Sequence, residues 1–260
     1  MSGGAVLVER DGSIATVTLS SPGRMNALDK TMWAQLGAAM RELGADDRLR
    51  CIVLRGAGDK AFAAGADIAE FHTERADSKQ AKAYSQGGIG WMHSVAECRH
   101  PTVALIQGAC VGGGLLVASQ CDLRICNESA RFGVPVKNLG LTESYDELLG
   151  MMRVVGPVAS LEILLEGRIW GAREAYEKGL VNRIVPDPAV VGEAYATARR
   201  IAEGAPLVAR WHKKFIRRLL DPRPLSAEER DEGYACFDTQ DFKIGVAAFL
   251  AKKKPDFAGR

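Results

Sequence analysis

Apolar and polar positions in the first half of the chain alternate between two periods. AVLVE (5–9) and SIATVTLS (13–20) read as strands, and Asp11-Gly12 between them predicts a hairpin. From Asp29 to about Gly44 the apolar residues Met32, Leu36, Ala39, Met40 and Leu43 recur at helical spacing, with Asp29 placed as the N-cap. CIVLRG (51–56) reads as a buried strand, YSQGGIGWMHSVAEC (84–98) as a helix despite its glycines, and TVALIQG (102–108) as another strand. A helix over 115–120 is opened by glycines, and LRIC (123–126) returns to strand. From Ser144 the pattern turns helical. Helices are predicted to start at Gly156-Pro157 and to span 171–178, 188–203, 206–220, 226–237 and 241–252, with one strand, VNRIV (181–185), among them. An α/β core with stacked or parallel strands, under a separate helical layer, is the expected architecture.

Composition narrows the classes of partner. A length of 260 residues suits one large domain, or a core with a smaller attachment. With a net charge of +2 and no long basic block, nucleic acid is not an expected partner, and Lys252-Lys253-Lys254 is too short to change that. The six cysteines show neither C-x-x-C nor Cys/His metal spacing. No metal is therefore expected, and the thiols read as free and buried in a reducing compartment. MSGGAVLVERDG has no basic region followed by a long apolar run, and no apolar run reads as long enough to cross a membrane. A cytoplasmic protein without a membrane partner is the expectation.

Two glycine-containing turns carry the chemistry: AFAAGADIAEF (61–71) and IQGACVGGGLLVASQCD (106–122). Each can present a backbone N–H unobstructed by a side chain, and together they can hold one oxygen atom. Such donors contribute about 3 to 4 kcal/mol each to a reaction that builds negative charge there. Either turn alone also fits a plain strand-to-helix connection. No G-x-S-x-G occurs, and GAGDKAFAAG (56–65) has the spacing of neither a dinucleotide nor a Walker loop.

In their order and spacing these segments resemble the enoyl-CoA hydratase/isomerase (crotonase) superfamily. The likeness includes SPGRMNAL (21–28), AFAAGADI (61–68), the glycines at 112–114 and RFGVP (131–135). It continues through LLEGRIWGAREAYEKGLVNRIVP (164–186) to FLAKKKPDF (249–257). The resemblance implies an α/β spiral of ββα units over residues 1–195. A helical region over 196–260 would cover the active site and mediate assembly as trimers or hexamers. It implies an acyl-CoA substrate, with coenzyme A part of the substrate and no separate cofactor, in fatty-acid or related breakdown. The thioester oxygen would sit between the N–H groups of Ala66 and Gly113. Arg24, Ala64, Asp67 and Ile68 would lie near the nucleotide part of CoA, and Lys252 and Phe249 would reach it from a neighbouring subunit.

The pattern breaks where hydratases of this family carry two glutamates. Those positions are Leu116 and Val136 here, which with Leu141 would line an apolar acyl pocket. General acid–base groups contribute about 10²–10⁴-fold each, so hydration by the usual route is disfavoured. Some family isomerases keep one base at the start of a later helix, a position that aligns with Ser144. Glu143 is one residue away and becomes the provisional base for isomerase-type proton transfer. Asp146 and Glu147 are further candidates, expected to point elsewhere from Glu143 on a helix. The alternatives are a weak or inactive acyl-CoA-binding protein, or a CoA-thioester hydrolase or decarboxylase. Among the histidines, His93 and His72 are weighed as site residues with packing favoured, and His100 and His212 read as structural.

Overall fold

Chain reversal at Gly12, whose φ is 56°, pairs β1 (Ala5–Asp11) with β2 (Ile14–Ser20) in antiparallel register, Asp11 opposite Ile14. The structure, a computed structural model, describes residues 3–260, the side chains of residues 86–89 excepted. Helix α1 (Lys30–Ala45) follows, capped by Asp29, whose side chain accepts from the Met32 N–H as its sequence position suggests.

Three strand–strand–helix units come next. The first is β3 (Cys51–Gly56), β4 (Ala61–Ala63) and the helices α2 (Phe71–Glu74) and α3 (Ser78–Ala96). The second is β5 (Thr102–Ile106), β6 (Ala109–Val111) and α4 (Gly113–Gln120), and the third β7 (Leu123–Asn127), β8 (Arg131–Gly133) and α5 (Tyr145–Glu166). The chain closes with β9 (Trp170–Gly171), α6 (Ala172–Glu177), β10 (Arg183–Val185), α7 (Val190–Ala202), α8 (Pro206–Leu219), α9 (Ala227–Glu232) and α10 (Gln240–Leu250).

The first strand of every unit joins a six-stranded sheet of order β1-β2-β3-β5-β7-β10, parallel from β2 onward. The second strand joins a smaller sheet, β4-β6-β8-β9, in which only β9 runs antiparallel. This is the expected spiral of ββα units. The large sheet is covered on both faces, so its central strands are apolar at successive positions. Ile52, Leu54, Ala104 and Ile106 pack toward α1, α3 and α4, while Val53, Val103, Leu105 and Ile125 pack under Val190, Ala194 and Ala198 of α7.

Residue 195, where the division of the chain was expected, lies in this covering layer. The boundary falls inside α7, and Tyr195 Oη lies 2.8 Å from Thr16 Oγ1 of β2. Helix α7 covers one face of the sheet, and α8 follows it in the chain. A correction concerns α5, which by length and composition alone is long and apolar enough to cross a membrane. Gly156, at φ 73° and ψ 175°, breaks it before Pro157, so the helix expected to start there is its second half.

The thiols of Cys51, Cys98, Cys110, Cys121 and Cys126 are buried and free, and burial pushes that of Cys51 up to about 12. His100 is fully buried, and burial beside Arg210 and Arg99 pulls its imidazole down to about 4, so the ring is neutral packing. Gly192 is exposed inside α7, with ordinary helical backbone and no atom within 4 Å of a Cβ placed on it. Gly192→Ala is expected to stabilise the fold by about 0.5–1 kcal/mol, read as a higher urea midpoint at unchanged slope.

Candidate active site

Adjacent parallel strands bring their carboxyl ends together. Strand β4 ends at Ala63 beside Cys110 of β6, and β8 pairs with β6 on its other edge. The connections that follow carry Ala64–Ala66, Gly112–Gly113 and Pro135–Val136 to one place, the position where ligands bind in parallel α/β sheets.

Within the first connection, Leu28 bridges Ala66. Its N–H donates to the Gly65 carbonyl at 2.8 Å, and its carbonyl accepts from the Asp67 N–H at 2.9 Å. A parallel bridge of that kind leaves the N–H of Ala66 itself on the opposite side. Gly113 is the first residue of α4, so its N–H has no acceptor inside the helix. Neither N–H donates to a partner among the described residues. They are close neighbours: a Cβ on Gly113 would stand 3.5 Å from Ala66 N, and one on Gly65 would stand 3.1 Å from Gly113 N. Two free donors at a helix N-terminus form a site for an oxygen that gains negative charge.

The donors open into a cavity of about 550 Å³. Trp33 and Trp91 stack at 4.4 Å between centroids and form one wall, with Met92, Tyr84 and Phe71. Leu116, Val136 and Leu141 line it, and all three present aliphatic side chains to the cavity. Ala64 and Ile68 also line it.

Glu143 lines the same cavity. Burial, reinforced by the neighbouring charge of Glu147 and opposed by Arg75, pushes its carboxyl up to about 7. Ser144 is the N-cap of α5 in a reciprocal capping box: its N–H donates to Glu147 Oε2 at 2.7 Å, and its Oγ accepts from the Glu147 N–H at 3.4 Å. Glu147 therefore does not point elsewhere from Glu143. The two line one cavity because Glu143 precedes the cap, outside the helix, where helical spacing does not apply, while Glu147 curls back to the cap. Asp146 is exposed and outside the lining.

Arg24 and Asp67 do not line the cavity. Arg24 is ion-paired to Asp67 and, at 3.5 Å, to Asp29. Phe249 is exposed on α10, and Lys252, at φ 54°, follows it; the single chain brings neither to the cavity. His72, His93 and His212 are exposed and outside it. Trp33, Arg75, Tyr84 and Trp91 line the site without having been singled out in the sequence. Trp33 was legible: it sits one turn before Leu36 and two before Met40, on the face that packs inward.

Known proteins agree with this geometry. The family model described as enoyl-CoA hydratase/isomerase matches residues 9–260. The probable enoyl-CoA hydratase of Rhizobium meliloti is 36% identical over 267 residues, covering 100% of both chains. The short-chain-enoyl-CoA hydratase of Clostridium acetobutylicum is 30% identical over 96% of this chain and 95% of its own. The crystal structure of an enoyl-CoA hydratase/carnithine racemase from Magnetospirillum magneticum superposes with a TM-score of 0.97 at 51% identity, over 98% of this chain and 96% of that one. With its spiral of ββα units and its paired free N–H groups at neighbouring strand ends, the chain belongs to the enoyl-CoA hydratase/isomerase family and is an enzyme of that family.

Proposed function

We propose that the enzyme acts on an acyl-CoA thioester by isomerase-type proton transfer through an enolate. The N–H groups of Ala66 and Gly113 hold the thioester oxygen as charge develops on it. Glu143 takes the proton from C2 of a 3-enoyl chain and returns it at C4, leaving the double bond between C2 and C3. One C–H bond breaks and another forms, and the base ends as it began. The observation that carries this reading is that Glu143 shares a cavity with the two free donors, while Leu116 and Val136, where the resemblance would put hydratase glutamates, are aliphatic.

Coenzyme A enters as part of the substrate. Arg24, Ala64, Asp67 and Ile68 border its nucleotide end, and Phe249 and Lys252 reach it from a neighbouring subunit in a trimer or hexamer. Exposed apolar side chains support assembly: Val158, Leu161 and Leu165 on α5, and Phe249 and Leu250 on α10. The compartment is the cytoplasm, in keeping with the free, buried thiols.

A substrate panel tests the reaction: crotonyl-CoA, a 3-enoyl-CoA, a malonyl-type CoA and an aromatic acyl-CoA, each with wild-type enzyme and Glu143→Gln. Conversion of 3-enoyl-CoA to its 2-enoyl isomer, lost in the variant, is the expected result. Rapid hydration of crotonyl-CoA that is indifferent to Glu143→Gln would overturn the reading. So would binding of every thioester with turnover of none.

A further inference from the structure

Charge is scarce in the cavity. Among the described residues that line it, Arg75, Glu143 and Glu147 are the charged ones and Tyr84 is the one other titratable group. They come from three places: Arg75 from the link between α2 and α3, Tyr84 from α3, and the two glutamates from the start of α5. Burial raises the Tyr84 phenol above its ordinary range, so it stays neutral near pH 7. Arg75 and Glu147 are left as the groups that can influence Glu143 by charge.

Both are held in place independently of Glu143. The capping box fixes Glu147 through Oε2, and its other oxygen, Oε1, takes no part in that box. Arg75 is held by aromatic faces, its guanidinium carbon 3.8 Å from the centroid of Tyr84 and 5.0 Å from that of Phe71. Its side chain makes no ion pair with a carboxylate among the described residues; its polar neighbour is Tyr84. Arg24 spends its charge on Asp67 and Asp29, whereas Arg75 keeps its charge facing the cavity.

We propose that Glu147 and Arg75 are positioning residues acting on Glu143 with opposite sign: Glu147 retains the proton on Glu143, and Arg75 favours its release. This rests on Glu143 being the base. In the double-bond shift Glu143 must hold a proton after taking it from C2 and before giving it to C4. A hydrogen bond from protonated Glu143 to Glu147 steadies that interval, and Arg75 restores the ionised base for the next encounter. No oxidant or co-reactant is required, because the proton and the electron pair both stay within the substrate and Glu143.

The two roles separate in the dependence of kcat/KM on pH with a 3-enoyl-CoA, which rises as Glu143 ionises in the free enzyme. Glu147→Gln removes the charge but keeps the cap, because glutamine at that position makes the same bond. It is expected to move the acid limb to lower pH by about one unit. Arg75→Met is expected to move it to higher pH by about one unit, and Arg75→Lys to return it toward wild type. Shifts in the same direction, or no shift in either variant, would overturn the proposal. Glu143→Gln measured alongside keeps the outcomes apart. If it is inactive while both limbs stay fixed, the base stands and the positioning roles fall; if it is fully active, the assignment of the base falls first.

Discussion

Glu143→Gln is expected to lower kcat for 3-enoyl-CoA isomerisation by about 10²–10⁴-fold, with KM changed far less. Glutamine preserves the shape of the side chain and cannot act as the base, while the Ala66 and Gly113 N–H groups are left unchanged. The same substitution is expected to make the protein more stable above neutrality. In the folded chain the carboxyl is raised from 4.5 to about 7, so folding favours its protonated form. Below pH 4.5 both states carry the proton and nothing is lost. As pH rises toward 7 the unfolded chain gives up its proton first, and folded stability falls through that window. A shift of that size corresponds to about 3 kcal/mol at most, and partial exposure and coupling to Glu147 reduce it to about 1–2 kcal/mol. Glutamine does not ionise and escapes the loss. Calorimetric scans at pH 5 and pH 8 should therefore show the melting temperatures of variant and wild type diverging with pH. Equal differences at the two pH values, or retained turnover, would refute the account of this residue.

Legibility in the sequence followed element length and the reach of local rules. The six-stranded sheet was readable because strands such as CIVLRG are long enough for an apolar run to stand out. The smaller sheet was not: AFA, ACV and RFG are three residues each, too short for any period, and only their pairing makes them strands. That sheet positions the site, so the turns at 64–66 and 112–113 were visible by composition while their convergence was not. Leu116 and Val136 could be placed beside the site from sequence because each has a fixed offset from a glycine or proline turn. Glu143 and Glu147 defeated helical geometry because the cap falls between them. Arg75 left no local signal, since its role arises from two aromatic rings and a carboxylate brought together by tertiary folding.

Gly65→Ala should remove most turnover without touching a catalytic atom. Gly65 has φ 102°, a left-handed backbone that costs an L-residue about 1–2 kcal/mol, and its missing side chain faces the second glycine turn. A methyl group there would stand 3.1 Å from Gly113 N and 3.2 Å from the Val111 carbonyl oxygen, both of them backbone atoms anchored by β6 and α4. Neither can swing aside as a flexible side chain would. The β4 turn must therefore retreat, carrying Ala66 with it, and the two N–H groups lose their common focus. Loss of one oxyanion donor costs about 10²–10³-fold in kcat, and that is the expected size of the defect. Ala64→Gly, one residue earlier in the same turn, adds no bulk and serves as the control for a general loosening of the loop. Gly65→Ala should bind a saturated acyl-CoA within a few-fold of wild type, because ground-state binding draws on the whole cavity while the developing charge draws on two hydrogen bonds. If kcat survives intact and only KM rises, the paired N–H groups serve binding alone and the enolate must be stabilised elsewhere.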